Sequence, residues 1–172
     1  MAKFVARFAA IFLALLVAAA HPAAHAGPHE HGVASLELSV DGSTLLVRFS
    51  SPLDNLLGWE RAPRNEQEQR QYAALRAELA QPAVILSIPE VAACRLESAT
   101  VSDPHLKSSS DPHKDLEAEW NFRCGAAASL RTITINGFDR FKRLRRVDAF
   151  YALPGKSGKS RLTGRQRELK LP

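Results

Sequence analysis

Cysteine is nearly missing from this 172-residue chain: Cys94 and Cys124 are the only two. Thirty residues apart and without a CxxC neighbour, they lack the spacing of a zinc ribbon. Long apolar runs are also scarce. The longest, "FAAIFLALLVAAA" (Phe8–Ala20), has 13 residues, short of the about 20 that a bilayer-spanning helix needs. No later segment comes close, so no integral membrane segment is expected in the mature chain. No internal repeat is present, and no serine nucleophile elbow. "GKSGKS" (Gly155–Ser160) resembles the end of a phosphate-binding loop, but Phe150 and Leu153 stand where the required glycine would be five residues earlier. It reads as a basic turn. Asp115, Glu117 and Glu119 could serve as acid and base, yet nothing marks a pocket around them, so an enzyme is not expected.

What is present begins with an export signal. Lys3 and Arg7 precede the apolar run, and "AHA" (Ala24–Ala26) fits a small-x-small cleavage site, with Ala18–Ala20 as an alternative. Residues 1–26 are therefore expected to be a signal peptide and 27–172 a single domain. Export carries the two cysteines into an oxidising compartment, where a Cys94–Cys124 disulfide is the expected state. A pair of metal thiolates is the alternative. Nucleic acid is excluded as a partner by the same export.

Charge is unevenly spread. Residues 139–172 carry eleven Lys/Arg against three Asp/Glu, whereas residues 27–138 carry ten against fifteen. Every histidine beyond residue 26 lies in the acidic part. The basic end is ordinary solvated surface or a contact for an anionic head group or acidic partner.

The chain alternates in strand fashion from Val33. "VASLELSV" and "TLLVRFS", separated by "DGS", predict a hairpin. "SPLDNLLGWERAP" reads as a connection with a helical turn around Leu56 and Leu57. In "NEQEQRQYAALRAELAQP" the period changes: Asn65 and Glu68 resemble a capping box, Tyr72, Leu75 and Leu79 repeat at helical spacing, and Pro82 ends the helix. Strands are expected at "CRLESATV", "DLEAEWNFRC", "LRTITI" and "RVDAFYAL", with a short helix or turn at "GFDRFKRL" and an edge strand at "RQRELKLP". "VILSI" is ambiguous. Residues 102–114, with two prolines and four serines, read as an exposed mobile loop. The fold class is α+β: a mainly antiparallel sheet with one principal helix packed against it.

Histidine and carboxylate patterning points to a divalent metal. In extended chain His29 and His31 project alike, and that parity runs through Val33 and Ser35 to Glu37. His113 shares parity with Asp115, Glu117 and Glu119, and His105 lies eight residues before His113. Imidazole nitrogen with carboxylate oxygen suits Zn2+. An amino-terminal copper site on Gly27-Pro28-His29 is blocked, because Pro28 has no N–H to lose. Were strand 33–40 and strand 115–124 near each other, the arm and the loop could close on one ion.

"HEHGVASLELSVDGSTLLVRF", "SPLDNLLGWERAP", "AACRLESATV" and "HKDLEAEWNFRC" resemble, in that order, a bacterial exported family once catalogued as of unknown function. Some of its members are zinc-regulated periplasmic zinc-binding proteins that assist zinc uptake. The likeness runs from His29 to about Leu153. It implies a periplasmic accessory that buffers or delivers zinc to an importer component, with His29, His31, His105 and His113 as ligands and Asp115 next. Where that family often carries a dense histidine tract, this chain has "LKSSSDP" between His105 and His113. The resemblance therefore implies one ion or two weak ones, not a sponge. Trp59-Glu60 replaces the family's phenylalanine before glutamate. The competing reading is a non-metal envelope module that docks a membrane or protein partner through the helix Asn65–Ala80 or the basic C-terminal end.

Overall fold

The structure, a computed structural model, describes residues 30–105 and 115–172. The expected hairpin forms: β1 (Val33–Asp41) turns at Gly42, with φ at 57°, into β2 (Thr44–Pro52). Alternation decides which side is buried. Leu36, Leu38, Leu45, Val47 and Phe49 are buried, while Glu37, Ser39 and Arg48 are exposed. A short helix, α1 (Leu53–Leu57), follows directly and ends on Gly58 in the left-handed region.

The principal helix is α2 (Glu66–Leu79). The Asn65 side chain accepts from the Glu68 amide at 2.9 Å, as a capping residue should. The reciprocal bond is displaced by one residue: the Glu68 carboxylate takes the Arg64 amide, at 2.7 Å, because Arg61 also clamps it. Tyr72, Leu75 and Leu79 are the buried stripe. At the far end of α2 the Trp120 indole donates to the Leu79 carbonyl at 2.9 Å, which satisfies a helix-end acceptor inside the core.

Beyond α2 come β3 (Leu86–Ser87), β4 (Cys94–Val101) and β5 (Asp115–Cys124). They are followed by β6 (Thr132–Ile135), α3 (Gly137–Arg140), β7 (Arg146–Leu153), β8 (Lys156–Thr163) and β9 (Glu168–Lys170). The larger sheet has the order β4-β5-β2-β1-β7-β8, and a smaller one has β3-β6-β9. The α+β class holds, with one departure from an antiparallel sheet: β1 and β7 pair in parallel. A parallel neighbour needs a crossover of a dozen residues or more, and here everything between β2 and β7 supplies it. One face of the larger sheet, α2 and the smaller sheet bury one apolar cluster that includes Trp120, Phe49, Leu79, Ile133, Ile135 and Leu169.

One expectation needs correction. "GKSGKS" is not a turn. Only Pro154 and Gly155 turn, and Lys156 onward is edge strand β8, zipped to β7 from Leu153↔Lys156 to Arg146↔Thr163. Its Lys, Ser and Gly content hides it from propensity, and pairing to β7 overrides that. Of residues 102–114 only 102–105 are described; there Pro104 is buried and Asp103 is held by two residues of α2.

Cys94 and Cys124 are bonded to each other and face one another across β4 and β5. Their row lies beside the β1–β2 turn, where the Cys124 amide donates to the Ser43 carbonyl at 2.8 Å. The opposite end of the sheet is the rim that matters below.

Candidate metal centre

Strand register decides which ligand candidates can meet. Ser35, Ser50 and Glu117 stand in one row across β1, β2 and β5. Two residues further toward the rim lie Val33 on β1 and Asp115 on β5. With β2 between them they are two strand spacings apart, about 10 Å. β4 runs antiparallel to β5 and ends with Val101 opposite Ala118, so the chain leaves it toward the same rim and reaches His105. The strands are thus second neighbours rather than adjacent, and His31, His105 and Asp115 are attached at one end of the sheet.

His31 does not continue the extended parity of β1. Gly32 has φ at 88°, and the Val33 amide donates to the Glu30 carbonyl at 3.0 Å, a turn that redirects the imidazole. Asn55 on α1 fixes that turn: its Oδ1 accepts from the Gly32 amide at 2.6 Å and its Nδ2 donates to the Val33 carbonyl at 2.8 Å. The Gly32 carbonyl accepts from the Arg145 and Arg146 amides. A side chain at position 32 would also press on Arg145 at 3.2 Å. His31, about half exposed, therefore lies against carboxylates from another segment. Its Nε2 is 3.1 Å from Glu60 Oε1, and its Nδ1 is 3.8 Å from Asp54 Oδ2. Asp54 is already engaged in a forked pair with Arg143, at 2.7 and 2.8 Å.

His105 sits on the helix side of the rim. Its ring packs on Tyr72 with centroids 5.4 Å apart, and its amide donates to Asp103 Oδ1 at 3.0 Å. The Tyr72 hydroxyl donates to the same oxygen at 2.7 Å, and Arg76 approaches the other at 3.3 Å. Burial pushes the Asp103 carboxyl up, but Tyr72, the His105 amide and Arg76 outweigh it and hold it below its usual range. Burial, and next the bond to Asp103, pushes the Tyr72 phenol well above its ordinary value, so it stays a donor. The two histidines are joined through one segment. Glu60 meets His31, while its neighbour Trp59 packs on Tyr72 at 6.5 Å and under Arg61 at 5.2 Å.

Asp115 faces the open side of the sheet, where Ser50 Oγ lies 3.5 Å from it. Among the described residues no three His, Cys, Asp or Glu side chains converge closely enough to hold a metal ion. The two nitrogens of His31 face different carboxylates, so His31, Asp54 and Glu60 do not point at a common centre. His29, His113 and the expected signal peptide lie outside the described residues. Glu60, Asp103 and Tyr72 were not singled out as site residues from sequence. Glu60 lies in a connection with no periodicity, and nothing local says that Asp103 turns back onto α2.

Among the described residues no helix is long and apolar enough to cross a membrane. A family model described as ZrgA family zinc uptake protein matches residues 28–171, which takes in the whole of both sheets and every histidine beyond residue 28. No curated protein matches the chain.

Proposed function

The chain belongs to the ZrgA family of zinc uptake proteins, and from that premise we propose that it binds zinc in the periplasm and buffers it or hands it to an importer component. Zinc is cargo in this reading, and no catalytic step is assigned. The ligands are drawn from His29, His31, His105, His113 and Asp115. One observation carries the reading: the strand register attaches His31, His105 and Asp115 to one rim. His29 and His113 stand two residues in sequence from His31 and from Asp115.

The donor chemistry fits. Neutral imidazoles and a carboxylate suit a four-coordinate zinc ion, and Glu60 is a further carboxylate within reach of His31. Asn55 and Asp103 act as positioning residues, one fixing the turn that presents His31 and the other the backbone of His105. Residues 1–26 are the export signal in this proposal, and 27–172 the working protein.

Protons compete for imidazole nitrogens, which take one up near pH ~6.5 when unperturbed. Calorimetric titration of untagged mature protein with zinc at about pH 7.5 and about pH 5.5 tests the proposal. Binding at the higher pH, largely lost at the lower and weakened by His→Ala at 29, 31, 105 or 113, is expected. Equal weak binding at both values, untouched by all four substitutions, overturns it.

A further inference from the structure

The larger sheet buries one face and leaves the other bare of described structure. On that open face one row crosses five strands in the order Glu119, Arg48, Glu37, Phe150, Lys159. A neighbouring row begins with Glu117 on β5 and ends with Arg161 on β8. The face carries Asp115, Glu117 and Glu119 on β5, with Arg123 at its far end, and Lys159 and Arg161 on β8; between them stand Arg48, 2.7 Å from Glu119, Asp148, 3.5 Å from Arg161, Glu37, and small side chains such as Ser35, Ser39 and Ala152. Phe150 stands on it 45% exposed; the other exposed large apolar side chains among the described residues, Val91 and Leu96, lie elsewhere. Beside it is a shallow trough of about 250 Å3 edged by Leu46, Arg48 and Ala152.

We propose that this face is the interface of a symmetric homodimer, with a second copy stacked on it about a two-fold axis running along β1. Such an axis exchanges left and right across the sheet but keeps each row at its own height. β5 of one copy then lies over β8 of the other, and β2 over β7. Glu119 meets Lys159 of the second copy and Glu117 meets Arg161. Arg48 lies over the exposed ring of Phe150, a cation–π arrangement, and Leu46 lies over Ala152. Every contact occurs twice, as a closed two-fold interface requires. Only residues of β1 meet themselves. Of these Glu37 and Asp41 are charged; each Glu37 has Arg48 as its cross-strand neighbour, and Asp41 stands at the last position of the strand, beside the Gly42 turn.

Size allows the association. Five strands about 4.8 Å apart, over about 25 Å of their length, present roughly 600 Å2 per copy. Two copies bury about 1,200 Å2, the lower edge of stable interfaces. Stacked sheets accept this geometry with strands within about 30° of parallel. An axis along the strands also leaves both histidine-bearing rims at the same end of the pair, although the dimer does not depend on zinc.

Sedimentation velocity on the mature protein between about 5 and about 500 µM tests this. A reversible dimer is expected that weakens with salt, because much of the contact is charged. Glu117→Lys with Glu119→Lys, or Lys159→Glu with Arg161→Glu, sets like charges against each other twice. Either pair of changes should raise the dissociation constant about tenfold or more. Mixed in equal amounts the two variants restore both contacts, so a heterodimer should form where neither variant dimerises alone. Glu117, Lys159 and Arg161 are exposed and Glu119 is half-buried, and circular dichroism checks that each variant folds. Wild-type protein that stays monomeric throughout, a dimer indifferent to both reversals, or a mixture that fails to reassociate overturns the proposal.

Discussion

Replacing Asn55 by alanine is the sharpest test of how the rim is built. Asn55 is 2% exposed. Its amide makes three bonds: 2.6 Å from the Gly32 amide, 2.8 Å to the Val33 carbonyl and 3.1 Å to Ser51 Oγ. Each such bond is worth about 1 kcal/mol net, and a buried group left without a partner costs about 1–3 kcal/mol. Alanine removes all three and takes the acceptor from the Gly32 amide, so a loss of about 2–4 kcal/mol is expected. For a domain of this size that lowers Tm by roughly 5–15 °C. The position of the loss matters as much as its size. Hydrogen exchange at the Gly32 amide should quicken by more than the general rise at core amides of β2 and β5. If His31 ligates zinc, the folded variant should also bind zinc more weakly. A stability change under about 0.5 kcal/mol, or Gly32 exchange that merely tracks the core, would refute the account of how His31 is held.

Trp120→Phe removes the indole donor to the Leu79 carbonyl and leaves a buried helix-end acceptor behind. Urea unfolding should report a loss of about 2–3 kcal/mol. Cys94→Ser with Cys124→Ser opens a link between residues 30 apart, and the loop-entropy relation gives a loss of about 3–4 kcal/mol under oxidising conditions, with none added by reductant. The Glu68 carboxyl is held at about 2, against an ordinary 4.5, by the Arg61 guanidinium and then the Arg64 amide. Because the folded value is the lower one, its stabilisation is complete above the ordinary value and disappears as pH falls toward 2. Thermal melts across that window should be flatter for Glu68→Gln than for the unaltered chain.

Period-two alternation was enough to find β1, β2, β5 and β7, because each buries one side of itself and leaves the other wet. Asn65, Glu68 and the Tyr72, Leu75, Leu79 stripe made α2 legible for a similar reason: its signals are local. β8 carried no such mark, since its only buried residue is Leu162 and its neighbour lies on β7. Parallel pairing of β1 with β7 joins residues more than a hundred apart, and no short stretch records it. At the rim, sequence picked the histidines but extended the β1 parity one turn too far. Gly32 has two meanings, a strand residue or a left-handed turn, and only Asn55, from another segment, decides between them. The carboxylate nearest to His31, Glu60, was invisible for the same reason.

The covalent staple fastens the edge strand β4 at the end remote from His105. Six of the eight β4 residues are exposed, so this strand is the least anchored by burial in the larger sheet. Its two ends are tied by different means: by sulfur at Cys94, and beyond Val101 by the Asp103 carboxylate, gripped by Tyr72 and Arg76 of α2. Only the first of these ties is covalent, so the strand stays anchored at its cysteine end, like a zip sewn shut at its base, when the polar grip beside His105 lets go.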